Sequence, residues 1–125
     1  MERFLLVCAG SAAGGGTRYL VSLWAGARLG AGFPYGTLIV NVAGCLVITL
    51  VMHVALAGAL SANLRFLLTT GFCGGLTTYS TFDYETTKLV QEGRYTAAAM
   101  NVGVTMVLCF AVGLLGFAVA RRIVG

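Results

Sequence analysis

Residues 71–85, GFCGGLTTYSTFDYE, gather the side chains of this sequence best suited to chemistry. Gly74 and Gly75 weaken a helix, and the hydroxyls of Thr77 and Thr78 compete for its backbone groups, so a break is expected at 74–78. A broken helix at membrane depth frees carbonyl oxygens, which are ligands for hard cations. Two antiparallel copies meeting on a two-fold axis would aim those carbonyls at one point. A glycine packing notch is the alternative. Beyond the break, Tyr79, Phe82 and Glu85 recur at i, i+3 and i+6, along one helical stripe. Aromatic rings have positive edges, so such a stripe could hold a small anion weakly, as conduction requires. Two core aromatics are the plainer reading of the same spacing. The combination of a break, hydroxyls and ring edges points to ion handling.

Other polar residues stand alone in apolar surroundings. Asn41, in GTLIVNVAGC, either bonds a neighbouring helix or turns its NH2 donor toward a pathway. Arg18 must find carbonyls or a carboxylate, or reach outward, which suits a structural or vestibule role. Glu85, a carboxylate on an anion route, needs a hydroxyl or asparagine partner, or carries a proton. His53 reads as an interfacial side chain. Cys8, Cys45, Cys73 and Cys109 fall one per apolar segment with no metal-ligand spacing, and read as small buried hydrophobes. No Ser/His/Asp set, phosphate loop or paired acid and base gives catalysis a foothold, and the chain is read as no enzyme.

These residues are carried by membrane helices. Apolar residues make up 58% of the chain and charged residues 10%, with a mean hydropathy of +0.91. A soluble domain carries about 25% charged residues. Apolar windows at about 4–25, 36–57, 64–91 and 95–120 predict an all-α membrane protein of four transmembrane helices in one domain. The first is too long for a removed signal peptide and is read as a retained span. Ser61 is a candidate N-cap and Gly93 a candidate helix stop. Gly10, Gly103 and Gly116 are read as helix-packing positions. Four short helices enclose little, so a pore would form between subunits. Arg3, Arg65, Arg121 and Arg122 would lie on one side of the membrane, and Arg28, Lys88 and Arg94 on the other. Four against three is almost no bias, so the chain is expected to insert both ways and pair antiparallel.

The segments GGGTRY around Arg18, GTLIVN with Asn41, and residues 71–85 together resemble the Fluc (CrcB) fluoride channels along the full length of the chain. The resemblance implies a four-helix subunit in an antiparallel, dual-topology homodimer with two fluoride pores. It implies a structural sodium ion at the dimer centre, held by backbone carbonyls of Gly74 and Thr77. The paired aromatics map to Tyr79 and Phe82, the pore asparagine to Asn41, the hydroxyl track to Ser80 and Thr81, and the third-helix glutamate to Glu85. The implied role is passive export of cytoplasmic fluoride across the cell inner membrane, driven by its gradient and a negative-inside potential. Two features depart from the family's pattern. Tyr79 adds a hydroxyl where phenylalanine is frequent, and Cys109 and Gly113 align with a serine and a threonine of the fourth span. A thiol donates weakly and glycine has no side-chain donor, so passage should cost more here.

Two other classes compete. A small drug/proton antiporter needs a carboxylate in its first span, where this chain has only Arg18. A non-transporting assembly subunit would not need Asn41, the glycine break and the aromatic stripe together.

Overall fold

A computed structural model describes residues 1–125 as helices joined by short connections. Helix α1 spans Glu2–Leu29 and α2 spans Tyr35–Leu56. The third segment opens with α3 (Ala62–Phe66), continues as a π-helical stretch (Leu67–Cys73), and closes its first half with the single turn α4 (Gly74–Leu76). Its second half is α5 (Tyr79–Gln91), and the chain ends with α6 (Tyr95–Val124). Three helices, α1, α2 and α6, are long and apolar enough to cross a membrane. Their 28, 22 and 30 residues make lengths of roughly 42, 33 and 45 Å, against ~30 Å of hydrocarbon. The third segment is not one continuous helix but is interrupted at Thr77–Thr78, inside the range 74–78 where a break is expected. Helices α1 and α6 also run past the expected windows, carrying Arg28 and Arg121–Arg122 in their last turns. Arginine continues a helix well and reaches outward from its end, so an apolar window stops before the helix does.

The capping signals explain where helices start. Ser61 Oγ accepts from Leu64 N–H at 3.2 Å at the start of α3. Thr78 Oγ1 accepts from Thr81 N–H at 3.2 Å at the start of α5. Gly93, at φ +73°, turns the chain between α5 and α6 in a conformation that glycine adopts without strain.

The break lies at Thr77 and Thr78, whose backbones are extended (ψ 156° and 122°), while Gly74 keeps helical angles. The glycine pair therefore does something other than turn the chain. Gly10 on α1 lies against Gly71 on the third segment, Gly14 against the backbone of Phe72 and Leu76, and Gly75 against Ser11 and Gly15, so small residues at i, i+4 meet on both sides. A Cβ at Gly71 would stand 3.1 Å from Gly10 Cα, and one at Gly75 would stand 2.9 Å from Ser11 Cα and 3.0 Å from Gly15 N. The backbones touch. In lipid, where apolar burial does not drive association, such close approach is what holds helices together. Gly74 points the other way, with only Thr69 O at 3.9 Å from a built Cβ. The two readings of the pair thus divide between its members: Gly75 packs, and Gly74 faces open space.

Helix α6 packs mainly on α2, with Gly116 against Leu46 and Thr49. Gly10 and Gly116 are packing positions, whereas Gly103 has no neighbour within 4 Å of a built Cβ. A helix of 30 residues outreaches its partner's contact face, and Gly103 lies on the free side. Only 19 of 125 residues are buried, so most of the apolar surface of the chain must meet lipid or another protein surface.

Candidate functional site

The extended turn at Thr77–Thr78 is held by Asn41. Its Oδ1 accepts from Thr78 N–H at 2.8 Å, and its Nδ2 donates to the Thr78 carbonyl at 3.1 Å. A helix continuing through Thr78 would send that N–H to the Gly74 carbonyl; the α2 amide takes it instead. Asn41 therefore both bonds the neighbouring segment and, with its second amide hydrogen uncommitted, borders open space. Thr77 adds its methyl, seated against Gly44, and its hydroxyl, which donates to the Cys73 carbonyl at 2.8 Å. No hydrogen bond reaches the Thr77 carbonyl.

A cleft of about 810 Å³ opens beside this break. One wall is the α2 face of Asn41, Cys45 and Ile48, and another is the α6 face of Thr105, Cys109 and Phe110. Gly74, Thr77, Tyr79 and Phe82 form the third side. No charged side chain lines it. The polar groups are one amide, several hydroxyls, thiols and backbone. The Tyr79 and Phe82 rings stand 5.6 Å apart with their planes at 55°. Phe82 is 6% exposed and Tyr79 72% exposed, so one ring is fixed by packing and the other projects.

Of the residues singled out from sequence, Asn41, Gly74, Thr77, Tyr79, Phe82 and Cys109 thus meet at one cleft. Ser80, Thr81, Glu85 and Arg18 lie outside its lining. Thr81 Oγ1 accepts from the Thr78 hydroxyl at 3.0 Å, and Ser80 Oγ lies 3.4 Å from the same hydroxyl, so these residues belong to the cap of α5. Glu85 Oε1 accepts from the Thr37 hydroxyl at 3.0 Å, and its Oε2 is buried without a partner. The expected hydroxyl partner of Glu85 is therefore Thr37, one turn from Asn41 on α2. Arg18 is half-buried on α1 and forms no bond or ion pair within the chain. His53 sets its ring edge-on to Phe117, centroids 5.2 Å apart. Cys8 is exposed on α1, unlike the buried position expected of it.

Thr105 went unread in the sequence. It is 6% exposed, lines the cleft, and its hydroxyl is buried with no partner. Gly113 lies outside this lining, in a smaller hollow with Thr49. The α6 stripe at the cleft is therefore Thr105 and Cys109, and not Cys109 and Gly113. The signal was available: Thr105 stands one helical turn before Cys109. Asn101, a further turn back, is 1% exposed and donates to Thr86 Oγ1 at 2.9 Å, joining α6 to α5.

Residues 5–117 match the sequence profile of the family described as CrcB-like protein, Camphor Resistance (CrcB). The chain belongs to the CrcB family. It is 43% identical over 125 residues to a protein of Sorangium cellulosum, an alignment covering 99% of this chain and 98% of that one. It is 44% identical over 126 residues to one of Anaeromyxobacter dehalogenans, covering both chains completely. It is 48% identical over 107 residues to one of Geobacter metallireducens, covering 85% and 86%. Each of these relatives is named fluoride-specific ion channel FluC. A CrcB chain with three helices long and apolar enough to cross a membrane, and a broken third segment among them, is a membrane protein.

Proposed function

We propose that this chain is the subunit of a fluoride-selective channel of the cell inner membrane that lets cytoplasmic fluoride leave passively. The observation that carries the reading is the uncharged cleft at the clamped break, lined by Asn41, Phe82 and the unpartnered Thr105 hydroxyl. Fluoride clings to water, so a path must replace that water with donors that are numerous and individually weak. An amide hydrogen, hydroxyls and ring edges are such donors, and a fixed cation is not. Tyr79 and Phe82 present successive ring edges, Asn41 offers its second amide hydrogen, and Thr105 and Cys109 continue the track on α6. Ser80 and Thr81 act through the α5 cap, and Glu85 and Arg18 support from outside the cleft.

The working form in this proposal is an antiparallel, dual-topology homodimer in which a second copy covers the open side of each cleft. Residues near the break also suit a structural sodium ion. The Thr77 carbonyl has no donor, and Gly74 leaves room for close approach. Two carbonyls per chain are too few for a hard cation, so the site needs both copies. When bound, the ion would cross-link the two breaks electrostatically.

The test is to reconstitute the purified protein into vesicles loaded with fluoride and record efflux with a fluoride electrode. Rapid, valinomycin-dependent release of fluoride over chloride is expected. Coupled drug/proton exchange, or no release from well-folded protein, would overturn the proposal.

A further inference from the structure

Sulfur is concentrated in one place in this molecule. Three of the four cysteines, Cys45, Cys73 and Cys109, and two of the four methionines, Met52 and Met106, line the same cleft. Cys45 on α2 and Cys109 on α6 also line the adjoining smaller hollow together. Cys73, at the end of the π-helical stretch, lines the larger cleft with them. All four cysteines are free thiols. Of these five sulfur groups the proposed fluoride track uses Cys109 alone.

We infer that Cys45 and Cys109 form a binding site for a soft monovalent cation of the copper(I) and silver(I) type, with thioether sulfur alongside. Thiol and thioether sulfurs select soft d10 ions over sodium, magnesium or calcium. No three His, Cys, Asp or Glu groups converge anywhere in the chain, so a tetrahedral zinc site is not formed. Copper(I) and silver(I) are satisfied by two sulfurs in line. One thiol loses its proton to water, and its thiolate and the second sulfur each give an electron pair to the ion. The unit of cation, thiolate and neutral sulfur carries no net charge, which suits a cleft without charged side chains. Cys45 follows Asn41 and Cys109 follows Thr105 by one helical turn each, so a bound ion sits beside the polar stripe. A cation there would obstruct the anion path, a consequence that rests on the proposed function, whereas binding itself does not.

Silver(I) is the probe, in chloride-free nitrate buffer, on the otherwise intact Cys8→Ser protein, which removes the exposed thiol on α1. After gel filtration, elemental analysis should find one silver per chain. Adding Cys45→Ser or Cys109→Ser should weaken retention about 100-fold or more, since even losing an outer partner of a ligand costs 10–100-fold. Silver retention in both variants equal to that of the Cys8→Ser protein would overturn the site. Should either variant fold poorly, silver-edge X-ray absorption on the Cys8→Ser protein decides alone. Two close sulfur neighbours support the site, and a shell of oxygen or nitrogen refutes it. Silver should also block fluoride efflux from vesicles of Cys8→Ser protein. Silver retained with efflux unchanged would support the site and count against the cleft as the fluoride path.

Discussion

Phe82 and Tyr79 share a stripe but not an environment. Phe82 is held by packing at 6% exposure, so its ring edge is fixed where the cleft needs it, while Tyr79 at 72% exposure has no such support within one chain. Replacing Phe82 by Ile keeps bulk but removes the quadrupole. A loss of ~1 kcal/mol from the path slows passage roughly fivefold or more. Vesicle efflux should fall by that factor while the gel-filtration profile stays unchanged; undiminished efflux would make Phe82 merely core. Tyr79→Phe keeps the ring and should be milder. Asn41→Asp is expected to be worse than either. The aspartate still accepts from Thr78 N–H, but it faces the Thr78 carbonyl with no donor and repels an anion. Efflux should be lost and the melting temperature in detergent lowered by an interaction of ~1–3 kcal/mol. Asn41 was legible as an anomaly in an apolar helix, but its partner was not. Thr78 lies 37 residues away, and nothing local in either segment specifies that pairing. Thr105 escaped notice for a different reason. A lone threonine in a membrane helix is ordinary; its place one turn before Cys109 puts it on the same stripe, and burial without a partner marks it in the structure.

Apolar windows located the elements, since residue type alone decides which stretches suit lipid, and the break fell within the expected 74–78. The shape of the third segment was less legible. LLTTGFC has the composition of an ordinary helix, and within its π-helical winding Gly71 lies against the α1 backbone at Gly10 and Val7. The two glycine pairs at four-residue spacing, Gly10/Gly14 and Gly71/Gly75, are a packing signal in the sequence that the adjacency of Gly74 and Gly75 masks. Their division yields a paired prediction. Gly75→Val drives a side chain into the α1 backbone at Ser11 and Gly15, so folded, monodisperse protein should be lost. Gly74→Val meets nothing closer than Thr69 within the chain and should fold normally. It fills space beside the Thr77 carbonyl, so sodium dependence and efflux should both suffer. Wild-type efflux that is insensitive to replacing all sodium with N-methylglucamine would remove the ion from the account. Equal behaviour of the two glycine variants would mean that the pair is not divided as described.

At the scale of the whole molecule, two facts bear on assembly: a small core and an even charge distribution. With 19 of 125 residues buried, the single chain leaves the cleft open and large apolar side chains such as Phe110, 72% exposed, beside it. A second copy is the natural cover, and the basic residues say how it would be oriented. Arg3, Arg65, Arg121 and Arg122 stand against Arg28, Lys88 and Arg94, and so small an excess gives the insertion machinery little to choose by. Both orientations should therefore be populated from one gene product. A reporter fused after α6 that is active on only one side of the membrane, paired with another active only on the opposite side, should give comparable signals. Adding two or three lysines to the α2–α3 connection should hold that connection and both termini in the cytoplasm and silence one reporter. Efflux should then vanish when that variant is expressed alone, because an antiparallel partner is no longer made. Co-expression with an oppositely biased variant, carrying extra lysines in the α1–α2 and α5–α6 connections, should restore it. Efflux from a single fixed orientation would require a parallel or monomeric channel, and the closure of the cleft by an inverted copy would have to be abandoned.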